Sequence, residues 1–180
     1  MKKQTKKLTI KLDNNVRLTF SGKNLEITLC EKSFEFSLLQ PIEPERDNQD
    51  RILELFPQFN YQNKKNLETH CYGDGPFCRF KINADPQPGV YLWVVDHTII
   101  YIGETNNLKK RFNTGYGNIS PRNCFKDGQT TNCKMNQVVL KMAKENKYVN
   151  LYFCKIDNYK DVEKELLKSI NTEYNKKNNI

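Results

Sequence analysis

The sequence predicts an α+β protein: an N-terminal antiparallel β-meander with a helix, then a small three-stranded antiparallel sheet flanked by helices. Three observations carry this expectation. Apolar residues alternate with a period of two through residues 8 to 38, interrupted by turn chemistry. Proline and glycine then punctuate the chain repeatedly between residues 41 and 89. Beyond residue 89 the patterns run strand, strand, helix, helix, strand, helix, an order that suits a small sheet with helices on its faces.

The meander reads as four strands. Leu8, Ile10 and Leu12 alternate with polar residues, as do Val16, Leu18 and Phe20, then Leu25, Ile27 and Leu29, then Phe34, Phe36 and Leu38. Asp13-Asn14-Asn15, Ser21-Gly22-Lys23-Asn24 and Glu31-Lys32-Ser33 supply the turns. Pro41 and Pro44 end the strand pattern. A short amphipathic helix is expected from about Asn48, with Ile52, Leu55, Phe56 and Phe59 on one stripe and Pro57 limiting it. Residues 60 to 88 read as irregular, so the domain boundary is placed at 85/86, giving domains 1–85 and 86–180.

The second domain opens with a hairpin, Gly89 to Val95 and Thr98 to Ile102, around an Asp96-His97 turn. Thr105 is placed to cap a helix carrying Leu108 and Phe112. A polar loop is expected from Asn113 to about Asn132, then a helix marked by Met135, Val138, Val139 and Met142. Val149, Leu151 and Phe153 alternate as a third strand. A last helix starts at Asn158 or Asp161 and turns Val162, Leu166, Leu167 and Ile170 inward.

The formal charge of +8 favours a polyanionic partner, because each Lys or Arg that neutralises a phosphate releases a counterion. The basic N-terminus is followed by alternation instead of an apolar run, which excludes a secretory leader reading. No segment approaches the ~20 apolar residues of a membrane span. A soluble, cytoplasmic protein is expected. Six cysteines are present, none in the short paired spacing of zinc ribbons. Cys71, Cys78, Cys124 and Cys133 could meet as four thiolates, or all six could be ordinary reduced thiols.

Residues 89 to 175 carry a constellation. Gly89-Val90-Tyr91 is followed by Tyr101-Ile102-Gly103-Glu104-Thr105, then Leu108 and Arg111-Phe112. Further on, Glu163 precedes Leu166-Leu167 and then Tyr174-Asn175. In this order and spacing the chain resembles the GIY-YIG nucleases. Two departures stand out: Gly115 lies where many members carry His or Tyr one helical turn after the arginine, with Tyr116 beside it, and Thr172 replaces a proline usual before the terminal asparagine. Glu165 is the rival carboxylate to Glu163.

The resemblance implies a Mg²⁺-dependent endonuclease, one ion per site with Mn²⁺ as an alternative, acting on double-stranded DNA. It implies that Tyr91 is the general base or positions the water, that Tyr101 supports it and orients the phosphate, and that Arg111 stabilises the transition state. Glu163 ligates the metal and Asn175 fixes the end of the site by hydrogen bonds. Residue chemistry agrees, because phosphodiester hydrolysis needs an activated water, a counter-charge and help for the leaving oxygen. An arginine fork suits a phosphate. Each residue taken singly also fits a plain structural role, a sheet tyrosine or a solvated surface charge.

The polar stretch from 113 to 136 offers stock for reading DNA: Asn118, Arg122, Asn123, Gln129, Asn132 and Asn136 for bases, and Lys126 and Lys134 for phosphates, with Tyr116, Lys109 and Lys110 as further DNA contacts near Arg111. The alternative is a surface loop stitched by its own turns. Lys2, Lys3, Lys6, Lys7 and Lys11 suit a backbone clamp, or the meander is a structural cap. A restriction-like, sequence-preferring nuclease is the first reading. A structure-specific repair or recombination nuclease and a catalytically idle nucleic-acid-binding module are the alternatives. One active site cuts one strand, so a homodimer on DNA is expected.

Overall fold

The computed structural model describes residues 7–13, 15–62 and 64–175. Strands β1 (Lys7–Lys11), β2 (Val16–Ser21), β3 (Asn24–Leu29) and β4 (Lys32–Ile42) pair in sequence as an antiparallel meander. The registers follow the alternation: Leu18 faces Ile27, and Ile27 faces Phe34. Asp13 closes the first turn by accepting the amides of Asn15 and Val16 at 2.7 and 2.8 Å.

The expected separate three-stranded sheet is not formed. Strands β5 (Gly89–Val95), β6 (Thr98–Thr105) and β7 (Val149–Lys155) join the meander in one seven-stranded antiparallel sheet of order β1-β2-β3-β4-β7-β5-β6, curled into a half-barrel. Strand accounts for 34% of residues and helix for 26%, so the sheet dominates. The junction follows from strand length. β4 has eleven residues, but β3 pairs only with its first six, Lys32 to Ser37. Its other edge is open to β7, and Pro41 is accommodated at the end of β4.

Contacts divide the chain into two interleaved units. The first takes Met1–Pro41, Gln87–Asn107 and Asn150–Ile180, and the second Ile42–Pro86 and Leu108–Val149, so neither is a simple half of the sequence. In the first unit the apolar face of the meander and the second-half strands share one core. Leu18, Leu25, Ile27 and Phe36 pack with Val90, Leu92 and Ile102, and helix α3 (Tyr159–Ser169) adds Val162 and Leu166, with Ile170 just beyond its end. Burying both faces against a common core explains why the meander does not stand alone.

The second unit is mostly irregular. The helix expected from Asn48 is absent; only a 3₁₀ turn, Pro57–Asn60, forms. Asp47 is one cause, since its carboxylate accepts the amides of Gln49 and Arg51 and the Arg51 Nε, closing a turn instead of a helix. Leu55 then pairs in extended form with Phe77 in both directions. The polar stretch after Phe112 is also more ordered than expected. α1 (Leu108–Lys110) runs into a π-helical turn, Arg111–Tyr116, a 3₁₀ turn spans Pro121–Cys124, and α2 covers Thr130–Lys144, five residues earlier than its first apolar marker, Met135. No helix among the described residues is long and apolar enough to cross a membrane.

Candidate active site

In the first unit the hairpin positions both tyrosines. Asp96 and His97 have φ of 48° and 64°, the left-handed pair that a two-residue hairpin turn requires. Tyr91 lies opposite Gly103 and Trp93 opposite Tyr101, and the register then shifts so that Val94 pairs with Ile99. Strand alternation sends Val90, Leu92 and Val94 into the core shared with α3, and Tyr91 and Trp93 to the other face. Tyr101 joins them there: its ring centroid is 6.3 Å from that of Tyr91 and 6.1 Å from that of Trp93.

The two signature glycines have steric reasons. A Cβ on Gly103 would sit 2.5 Å from the Tyr91 Cζ and closer still to its hydroxyl, so the phenol occupies the space a side chain would fill. Tyr91 therefore lies flat across its cross-strand neighbour, with its hydroxyl over β6. A Cβ on Gly89 would likewise meet the Phe153 ring at 2.5 Å, and the Cys154 carbonyl nearer still, on β7. Only glycine admits both approaches.

Glu163 lies half-buried on α3. Val162 and Leu166 form the buried centre of the helix, so Glu163 and Glu165 project from opposite flanks. Glu165 is held by Lys32 of β4 at 2.8 Å, which gives the rival carboxylate a structural partner. α3 covers the Val90, Leu92 and Ile102 face of β5 and β6, opposite the face that carries Tyr91 and Tyr101, and its Glu163 flank lies towards the outer, β6 edge.

Asn175 closes that margin. Its Oδ1 accepts the Ile102 amide and its Nδ2 donates to the Ile102 carbonyl, both at 2.8 Å, while the Tyr174 amide bonds the Ile100 carbonyl at 3.0 Å. The side-chain amide thus stands in for a further strand at the edge of β6, between Tyr101 and Gly103. Thr172 is not a defect here. Its hydroxyl donates to Asn175 Oδ1 at 2.5 Å and accepts the Asn175 amide at 3.4 Å, fixing the clamp that the motif reading left unsupported.

In the second unit Arg111 and Tyr116 are paired. The π-turn adds one residue to the helical repeat, and the Gly117 amide reaches back five residues to the Phe112 carbonyl at 2.7 Å. Tyr116, not Gly115, therefore returns to the face of Arg111. The guanidinium Nη2 donates to the Tyr116 hydroxyl at 2.7 Å, and its carbon stands 4.4 Å from the centre of the ring. Tyr116 is fully buried and positions Arg111, so it is not exposed as the DNA contact expected of it.

Two candidates for base reading are likewise built into the fold. Asn136 is fully buried and uses its amide three times: it accepts the Cys78 amide at 2.9 Å and donates to the Cys78 and Tyr116 carbonyls at 2.7 Å each. Asn132 is buried and donates to Gln129 Oε1 at 2.6 Å. α2 begins at Thr130, so polar residues expected in a loop occupy inward helix positions. Lys109, Lys110, Asn118, Arg122, Lys126 and Gln129 are exposed, Asn123 and Lys134 half-buried. Arg122 pairs with Asp127 at 3.2 Å and Lys126 with Glu68. Of the basic arm, Lys2, Lys3 and Lys6 lie outside the described residues; Lys7 and Lys11 are exposed on β1.

The cysteines are free thiols. Burial pushes the Cys78 thiol up to about 12. Cys124 and Cys133 share a hydrogen bond that holds Cys124 below its ordinary value and raises Cys133. Among the described residues no cluster of three or more His, Cys, Asp or Glu could cage a metal, so the four-thiolate arrangement is not formed. Mg²⁺ commonly takes one or two carboxylates and keeps its waters, and Glu163 is the carboxylate that would hold one here. The chain matches no protein-family model, no curated protein and no solved structure.

Proposed function

We propose that the chain is a Mg²⁺-dependent, sequence-preferring DNA endonuclease. The observation that carries this reading is the interlock of the two signature segments: the Tyr91 phenol fills the space left by Gly103, with Tyr101 beside it. A glycine and two tyrosines kept in that relation make sense if the phenol must present its hydroxyl at one spot. Resemblance to the GIY-YIG nucleases supports the same reading.

In the reaction a water oxygen bonds to phosphorus and gives up one proton to solvent, while the P–O bond to the leaving oxygen breaks and that oxygen takes up a proton from solvent. Tyr91 is fully buried and Tyr101 is 8% exposed, so the reading requires this face to open to substrate; Tyr91 then orients that water through its hydroxyl, and Tyr101 orients the phosphate. Tyr91 acts by holding the water in line with phosphorus. Arg111 is permanently cationic and supplies the counter-charge for the developing anion; Tyr116 fixes its fork. Glu163 would hold the metal, which when bound supplies charge neutralisation and a more acidic water. Asn175 positions β6 beneath the tyrosines. Cutting both strands would take two copies of the chain.

The test is digestion of long duplex DNA with Mg²⁺, followed by end sequencing. Defined ends at recurring sequences support the proposal, and cutting confined to branched junctions favours a structure-specific nuclease. Arg111→Ala and Glu163→Ala should each lower cleavage by about 100-fold or more while leaving folding and DNA binding intact. A wild-type chain that shifts DNA on a gel but leaves it uncut would make this an idle binding module.

A further inference from the structure

The second unit exposes an aromatic pair that its own fold does not use. Phe59 is 81% exposed and Phe56 43%, and their rings stack with centroids 6.0 Å apart and an angle of 24°. Two adjacent exposed rings make a contiguous apolar patch, the kind of surface that a partner covers. The pair is rigidly presented. Leu55 is hydrogen-bonded to Phe77 in both directions, and between the two phenylalanines the buried Gln58 donates to the Asp74 carbonyl at 2.7 Å. Phe56 lies against Gly75, which with Pro76 lines a cleft of about 430 Å³.

The opposite wall of that cleft is α2. Gln137, Leu140, Lys141 and Lys144 line it. Lys134, Gln137, Lys141 and Lys144 follow at intervals of three, four and three, which places them along one face of the helix. A cationic stripe thus runs beside a stacking surface. Two acids share the area: Glu145 lines the cleft, and Glu54 pairs with Lys144 at 2.6 Å. The Glu54–Lys144 pair is exposed, of a kind worth little and readily exchanged for a phosphate.

We infer that Phe56, Phe59 and the lysine stripe of α2 form a docking site for an unpaired nucleobase of a DNA strand, the base stacking on Phe59 and its phosphates lying along Lys141 and Lys144. This combination of a stacking ring and a cationic track is what binding to unpaired strands requires. An apolar protein segment would cover the rings but strip water from the lysines without compensation. The inference shares with the proposed function only the premise that DNA is the partner; it is independent of cleavage.

The experiment is fluorescence anisotropy of the full chain with a labelled oligothymidylate and with a blunt duplex of two annealed strands, across a salt series and without Mg²⁺. Phe59→Ala should weaken oligothymidylate binding by roughly 5- to 100-fold and leave the duplex unaffected, with Phe59→Trp restoring affinity. Lys141→Gln should reduce the salt slope by about 0.7, which Phe59→Ala should not. Phe59 is so exposed that its truncation leaves the fold intact, to be verified by thermal unfolding. Equal affinity of wild type and Phe59→Ala, or no oligothymidylate binding at all, overturns the site. So does a wild-type dimer that Phe59→Ala dissociates without any effect on DNA. A chain that cuts duplex DNA yet ignores Phe59→Ala sinks this site alone; one that binds through Phe59 but cuts nothing sinks the nuclease reading alone.

Discussion

At the scale of single residues, the absence of a side chain at Gly103 is as consequential as the phenol that fills the gap. Gly103→Ala would force the Tyr91 ring to move, because its Cβ would come within 2.5 Å of the Cζ. The strand itself tolerates alanine, so the fold should survive while cleavage falls by about 10-fold or more, measured in single-turnover digestion beside circular dichroism. Undiminished cleavage would show that the position of the phenol is immaterial. The thiols give a second prediction. Cys30 and Cys71 are exposed and should react with a disulfide reagent at pH 8, whereas buried Cys78 should not. Burial raises Cys78 from 9.0 to about 12, so the folded state keeps a proton that the unfolded state loses. Its contribution to stability is full below pH 9 and is lost as pH rises towards about 12, which denaturant titrations of the wild type and of Cys78→Ala across that window would compare.

At the scale of elements, side-chain amides tie the backbone together in ways that neither propensity nor hydrophobic patterning would reveal. Asn175 borrows the hydrogen-bonding positions of a neighbouring strand at Ile102. Asn175→Ala should therefore speed exchange of the Ile102 amide hydrogen relative to Leu92 in the middle of β5, and Thr172→Ala should do so in part. Equal protection in the wild type and both variants would remove the clamp. In the second unit Asn136 ties α2 to Cys78 and to the carbonyl that ends the π-turn. Asn136→Ala leaves three buried backbone groups without their partner and should lower stability by about 3 kcal/mol in urea unfolding. The π-turn also explains the Arg111–Tyr116 spacing, since an ordinary helical repeat would have brought Gly115 back to the arginine.

At the scale of the whole molecule, charge governs the encounter with any polyanion. A formal charge of +8 predicts that DNA affinity falls linearly with the logarithm of salt. Replacing Lys2, Lys3, Lys6 and Lys7 together by Gln should flatten that slope by up to about 3.6 if all four ammonium groups meet phosphates. An unchanged slope would make the arm a solubility feature. Sedimentation with and without a cleavable duplex would report whether two copies assemble on DNA, as cutting both strands demands.

Local pattern alone determined a good deal. Period-two alternation located the strands of the meander, two β-rich runs located the hairpin turn at Asp96-His97, and helical spacing located the buried stripe of α3, because these depend on which neighbours share a face. The signature residues were also legible, since their identities and order need no coordinates. Tertiary structure decided what spacing cannot encode. β4 has a second edge, which merged two expected sheets into one; Asp47 and the Leu55–Phe77 pairing prevented a helix whose apolar periodicity looked sound; Asn132, Asn136 and Tyr116 turned inward once α2 and the π-turn were in place. The physical reason is common to all of these. A hydrogen-bonding edge, a carbonyl awaiting a donor or a space beside a glycine belongs to two segments at once, and the sequence presents them one at a time.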